Sequence, residues 1–224
     1  MPKFQSIHFV INPAAGQPEP VLHMINKVLY PHEIDWAVSV TRADGDGQRL
    51  AQMAVADGAD LVVSYGGDGT VKDVANGLLD GDVPLAILHG GTGNAMAYEL
   101  GIPASLEDAL ELIVGEHELR GVDVGQVICH DAPDKKGHFL LRMSMGLQTK
   151  VLETASRDLK TRFGNLAYVI ASLQELTESK NRSYRLTIDD EDVIGEGLTT
   201  LIANSAFVGG QVNFSFAPSV NPAD

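Results

Sequence analysis

Two short runs in the sequence combine glycines with groups that hold phosphate. Gly66-Gly67-Asp68-Gly69-Thr70 stands between the apolar run Leu61–Tyr65 and a helically spaced set, Val71, Val74, Ala75 and Leu78. Glycines at a strand-to-helix turn let backbone N–H groups approach a ligand with no Cβ in the way. The helix start adds the positive end of a dipole, so the place suits phosphate. A carboxylate there is repulsive to phosphate unless a divalent cation, Mg²⁺ by its oxygen preference, lies between them, and that is the expected use of Asp68. The simpler alternative is that Asp68 caps a helix starting near Thr70. A second run, Gly90-Gly91-Thr92-Gly93-Asn94, follows another apolar stretch and opens another helix, and Asn12-Pro13-Ala14-Ala15-Gly16 closes the first. Glycine-rich loops at the carboxyl ends of parallel strands line one crevice, which is where open α/β sheets bind ligands.

Other chemistries lack their residues. There is no G-x-x-x-x-G-K-[ST], no third glycine for a dinucleotide fingerprint, no kinase H-R-D or D-F-G set and no G-x-S-x-G elbow. The seven histidines show no H-E-x-x-H spacing. His89 reads as a residue closing a strand, and Asp44-Gly45-Asp46-Gly47, without calcium-ligand spacing, reads as a turn.

The elements that must position these loops alternate. Phe4–Ile11, Trp36–Thr41, Leu61–Tyr65 and Pro84–Leu88 read as strands. Between and after them run helical patterns: Val21, Leu22, Ile25, Val28 and Leu29; Leu50, Met53 and Ala54; the set after Thr70; a short helix from Asn94; and Leu106, Ala109, Leu110 and Ile113. That repetition predicts an α/β domain with a parallel sheet covered by helices. After about Gly121 the texture changes. Val122–Cys129 and His138–Met145 read as strands around a polar loop, Asp131 to Gly137; a long helix is expected over 164–177; Tyr184–Ile188 and Gly197–Asn204 read as strands around an acidic turn, Asp189 to Asp192. The expectation is a second, mostly antiparallel domain.

Composition narrows the class. The 224 residues are 44% hydrophobic and 21% charged, which suits a packed globular protein. Thirty acidic residues against sixteen basic give a net charge of −14, which argues against a nucleic-acid partner. A single cysteine, Cys129, excludes an internal disulfide framework. No apolar run reaches membrane-spanning length and the N-terminus reads as a strand rather than a signal peptide, so a cytoplasmic, soluble protein is expected. Residues 150–185 are locally basic: Lys150, Arg157, Lys160, Arg162, Lys180, Arg182 and Arg185 against Glu153, Asp158, Glu175 and Glu178. Such a segment is either a solvated helix face or a patch that meets an anionic membrane.

The run Gly66–Leu78 (GGDGTVKDVANGL), the turn Asn12-Pro13…Gly16 and Gly91-Thr92-Gly93-Asn94 resemble the catalytic domain of the diacylglycerol kinases, a group with bacterial lipid kinases and sphingosine kinases. Gly121–Gly125, Gly164–Tyr168, Asn204, Gly209-Gly210 and Ala217-Pro218 resemble second-domain landmarks of that family, in order, so nearly the whole chain is covered. The resemblance implies a nucleotide-binding α/β domain like that of NAD kinases and phosphofructokinases (1–121), a β-sandwich-like lipid-substrate domain (122–224, its C-terminal part expected to be missing) and an active site between them. By the same resemblance Asn12, Pro13, Ala14, Ala15, Gly16, Thr41 and Thr92 contact nucleotide; Gly66, Gly67, Asp68, Gly69 and Thr70 bind ATP phosphates, with magnesium on Asp68. Asp73, which the resemblance counts with these cofactor-binding residues, stands where the family usually has Glu, and His89-Gly90 replaces a proline-containing lead-in. Asp224 corresponds to the first residue of an Asp-Gly-x-Leu turn that in some bacterial members holds a structural magnesium.

The activity so implied is transfer of the γ-phosphate of ATP, with Mg²⁺, to a lipid hydroxyl such as that of diacylglycerol. Peripheral association with a membrane surface is expected, and a homodimer through unpaired edge strands. The family's base is an Asp in a later Asp-Gly-Glu segment. None occurs here, so no catalytic residue is assigned within the chain and the base is expected beyond Asp224. Asp189-Asp190-Glu191-Asp192 lies in the wrong order and is assigned to a solvated turn. The alternatives are an NAD kinase-like enzyme, which shares GGDGT but not the second-domain landmarks, and a degenerate nucleotide-binding homologue without kinase activity.

Overall fold

A computed structural model describes residues 4–15, 19–130, 132–146, 182–205, 207–208 and 214–215. Four strands, β1 (Ser6–Ile11), β2 (Asp35–Val40), β3 (Leu61–Gly66) and β4 (Leu85–His89), form one parallel sheet in the order β2-β1-β3-β4. In register, Phe9 stands between Val38 of β2 and Val63 of β3. Helices α1 (Val21–Leu29) and α5 (Leu106–Val114) cover one face; α2 (Asp46–Ala56) and α3 (Asp68–Leu78) cover the other. The pleat decides which side chain goes where. Ile7, Phe9 and Ile11 of β1 pack with Ile25, Leu29 and Leu110, whereas Val10 packs with Leu50, Ala54 and Val74. Lying between the two layers, β3 is buried along its whole length, the reason for its unbroken apolar run.

The helical stripes hold with two displacements. Leu106, Ala109, Leu110 and Ile113 are all buried, but Leu22 and Met53 are exposed. On α2 the buried face is centred on Leu50, Ala51 and Ala54, which leaves Met53 at its rim. Short α4 (Ala95–Glu99) packs Met96 and Ala97 against Val71, Ile87 and Leu140.

Residues up to Leu141 together with the segment from Asn204 form one compact unit, and Arg142–Ala203 a second. In the first, β5 (Gly125–Cys129) and β6 (Ala132–Phe139) form an antiparallel hairpin. The expected polar loop over 131–137 is therefore mostly strand: a ribbon edge exposed to water keeps polar residues and shows no alternation to read. In the second, β7 (Arg142–Gly146) pairs with β10 (Thr199–Ala203), and β8 (Arg182–Ile188) with β9 (Glu191–Gly197). The acidic turn shrinks to Asp189 and Asp190, both at positive φ (49° and 67°), the geometry of a two-residue hairpin turn. Asp192 belongs to β9, where its Oδ1 accepts the Thr187 hydroxyl at 2.7 Å. Strand pairs β11 (Phe207–Val208) and β12 (Phe214–Ser215) complete the described elements. The expected helix over 164–177, Gly209-Gly210 and Ala217-Pro218 lie outside the described residues.

Candidate functional site

The sheet reverses its winding between β1 and β3: the chain leaves β1 toward β2 and reaches β3 on the other side. Loops leaving adjacent strands in opposite directions open a crevice at their carboxyl ends. Asn12 occupies that point. Its N–H donates to Tyr65 O at 2.9 Å, its Oδ1 accepts the Ala14 N–H at 3.0 Å and its Nδ2 donates to Thr70 Oγ1 at 3.1 Å. One side chain thus shapes the turn after β1 and ties it to the helix after β3. Pro13 and Ala14 are exposed on that turn and Ala15 is half-buried; Gly16 lies outside the described residues.

The two glycine-rich loops pack backbone on backbone. Gly90 N–H donates to Gly66 O at 3.1 Å, and a Cβ on Gly90 would stand 2.6 Å from Gly66 N. One on Gly91 would overlap Gly67 Cα. Gly69 differs: a Cβ there would meet nothing within 4 Å, so packing does not account for it. Asn94, in the left-handed region at φ 50°, closes the second loop with both amide groups on Gly91, at 2.8 Å each. Thr92 sits exposed at its tip.

Asp68 is the first residue of α3, not a cap: Gly67 precedes it and the carboxylate makes no capping bond. Instead Oδ1 reaches across to accept the Met96 N–H at 3.1 Å, and Oδ2 faces Gly93, where a Cβ would stand 3.0 Å away. That overturns the capping alternative. Among the described residues no group of three His, Cys, Asp or Glu comes together to hold a metal. Magnesium bound with a polyphosphate needs only one or two carboxylates from the protein. Asp68, with one oxygen fixed by a backbone donor and the other open at the loop, fits that requirement.

Thr41 lies beside Asn12, its N–H on Ile11 O at 2.9 Å. Asp73 is placed elsewhere. Five residues after Asp68 it has turned about 140° around the helix at 100° per residue. Its Oδ2 accepts the Gly45 N–H at 3.0 Å and its Oδ1 faces Lys72 Nζ at 3.1 Å, so it joins α3 to the turn before α2. The structure therefore brings Asn12, Thr41, Gly66–Thr70 and the Gly91–Asn94 loop to one end of the sheet and turns Asp73 away. Asp224 lies outside the described residues.

Sequence reasoning passed over two positions. Asn94 holds the second loop's shape, signalled by an Asn after glycine, which tolerates the left-handed region. Asp46 accepts the N–H groups of Arg42 (2.8 Å) and Ala43 (3.0 Å), which hold its carboxyl below the usual range. A separate cavity of about 510 Å³ runs along the β4 edge between Phe4, Leu79, Leu85, Ile102 and Leu119. Its lining is mostly apolar but includes His117, Glu118 and Arg120, and the loops described above do not line it.

Residues 6–127 match the family model of the diacylglycerol kinase catalytic domain, and residues 142–224 that of the YegS C-terminal NAD kinase beta sandwich-like domain. The chain belongs to the diacylglycerol kinase catalytic-domain family. A Pseudomonas aeruginosa protein named "probable lipid kinase YegS-like" is 36% identical over 78% of this chain and 55% of its own length. An uncharacterised Synechocystis protein is 31% identical over 91% of this chain and 48% of its own. Among solved structures, a diacylglycerol kinase from Bacillus anthracis superposes with a TM-score of 0.73 at 27% identity, over 99% of this chain and 71% of that one. The chain spans about half the length of the curated relatives it matches. The second family model establishes a β-sandwich-like domain after the α/β domain.

Proposed function

We propose that this diacylglycerol kinase family member binds ATP with Mg²⁺ in the crevice at the carboxyl ends of β1 and β3 and serves transfer of the γ-phosphoryl group to a lipid hydroxyl such as that of diacylglycerol. The observation that carries the reading is Asp68: a carboxylate at a phosphate-binding helix start, held by Met96 N–H with its other oxygen at the facing loop. In phosphoryl transfer the protein mainly positions and neutralises. The backbone at Gly69 is open to a phosphate oxygen, and the Asn12–Thr70 bond fixes the helix start beside it. Magnesium, when bound, neutralises charge building on the phosphates. A carboxylate base must take the acceptor's proton. We assign that role to no described carboxylate near the loops: Asp68 would hold the metal, Asp73 bonds Gly45 N–H, and Glu99 bonds the Ser205 hydroxyl.

Among the described residues no helix is long and apolar enough to cross a membrane. A lipid acceptor therefore implies contact at the membrane surface, for which the basic 150–185 segment is the proposed site. Calorimetric titration with ATP tests the nucleotide reading. Binding should need Mg²⁺, and Asp68→Asn, which keeps the Met96 acceptor, should lose about tenfold or more in affinity, as expected for a charge-assisted contact, with the melting temperature unchanged. A variant that binds Mg-ATP like the unmodified protein refutes it.

A further inference from the structure

The turn after β2 is held more firmly than a connection needs. Asp46 accepts the N–H groups of Arg42 and Ala43, and Asp73, from a different helix, accepts that of Gly45. Gly45 itself sits at φ 84°. Two carboxylates and a left-handed glycine thus fix five residues that bury no large apolar side chain. What they present is Arg42, exposed and next to Thr41 at the edge of the crevice.

The charges of the surrounding loops make this cation distinctive. Arg49 is paired with Asp46 at 3.3 Å and Lys72 with Asp73 at 3.1 Å. Among the described residues Arg42 is the basic side chain of these loops with no carboxylate partner. Asp44 and Asp68 leave the entrance otherwise acidic, a poor place for a polyanion. Strands β2 and β3 flank β1 at about 4.8 Å each, so Arg42 leaves the sheet roughly 10 Å from the Gly66–Thr70 loop, across the mouth of the crevice.

We propose that Arg42 is a phosphate-binding residue of the nucleotide site, its guanidinium held at the crevice mouth by the Asp46 turn to take the polyphosphate of the bound nucleotide. The inference rests on the nucleotide reading above. A planar fork with five donors suits phosphate oxygens, and a fixed backbone lowers the entropy lost on binding.

The test is equilibrium binding of ATP and of adenosine to the whole chain. Arg42→Gln should weaken ATP about tenfold, leave adenosine unchanged and flatten the salt dependence of ATP binding. Asp46→Asn should weaken ATP in the unmodified protein but add little in the Arg42→Gln background, because it acts by releasing Arg42. Lys27→Gln, whose partner Glu107 is on α5, is the control and should bind both ligands normally. If Arg42→Gln binds ATP within twofold of the unmodified protein, or loses adenosine equally, Arg42 does not hold phosphate and the nucleotide reading stands without it. If the unmodified protein binds neither ligand, the nucleotide reading itself fails and takes this inference with it.

Discussion

Replacing Gly90 and Gly69 separately distinguishes glycines that pack from a glycine that leaves room for a ligand. A Cβ on Gly90 meets three backbone atoms where β3 ends: Gly66 N at 2.6 Å, Gly66 Cα at 2.9 Å and the Tyr65 carbonyl carbon at 3.2 Å. Non-bonded heavy atoms settle near 3.5–4.0 Å, so the second loop must retreat by about 1 Å. Backbone atoms cannot rotate aside as a side chain would. The retreat also stretches the bond from Gly90 N–H to Gly66 O, now 3.1 Å. Overpacking costs about 1–3 kcal/mol and a weakened buried hydrogen bond about 1 kcal/mol, together about 3 kcal/mol for Gly90→Ala. For a chain of this length each kcal/mol moves the melting temperature by about 2–4 °C, giving a fall of about 6–12 °C.

Gly69→Ala should do the opposite. It meets nothing, and alanine inside a helix is more stable than glycine by up to about 1 kcal/mol, so melting should hold steady or rise by about 2–4 °C. Affinity for Mg-ATP should nevertheless drop, because the new methyl occupies the space a phosphate needs. Differential scanning fluorimetry and ATP titration on both variants are the assays. A Gly90→Ala protein that melts like the unmodified one refutes the close-packed loop pair. A Gly69→Ala protein with full ATP affinity refutes the placement of phosphate at that turn.

Other perturbations follow from the same structure. Tyr65 buries its hydroxyl without a hydrogen-bond partner among the described residues, and burial pushes its pKa up; Tyr65→Phe should therefore raise the melting temperature slightly, by the 2–4 °C that about 1 kcal/mol represents, and a fall would show a partner at that oxygen. His8, on β1, is half-buried with its Nε2 2.9 Å from the Ser39 hydroxyl, and desolvation lowers its pKa although Asp57 opposes the shift. Because the folded state resists protonation, its contribution to stability is full above the ordinary value near 6.5 and is lost as pH falls through the lowered value. Melting of the unmodified protein should drop more between pH 7 and 5 than that of His8→Gln, and parallel curves would disprove it. Arg157, Lys160 and Arg162 lie outside the described residues, so the membrane expectation rests on charge alone. Changing all three to Gln should reduce co-sedimentation with anionic vesicles at low salt, each contributing on the order of 1 kcal/mol, while sparing ATP affinity; equal sedimentation at every salt concentration makes the segment a solvated face.

What could be read from the sequence divides by the range of the interaction that decides it. Leu61–Tyr65 is unbroken and apolar because helices cover both its faces, so its burial is legible in the sequence. The glycine-rich turns were equally plain, since a strand-to-helix junction constrains its own residues. β9 was invisible for the converse reason: all but its last residue are exposed, including Val193 and Ile194, so no buried face imprinted a period on it. Asp68 shows the limit within the site. Its residue type is compatible with a metal or a cap, and what argues against the cap is a bond to Met96 N–H, 28 positions away. Asp73 differs again, because five residues of helical rotation already turn it about 140° from Asp68. A family position carried over by alignment keeps its charge but not its direction, and on a helix direction decides which ligand a carboxylate can reach. Asp73 faces the Gly45 turn, so under the proposed reading any effect of its loss on nucleotide binding would run through the loop after β2 rather than through a metal.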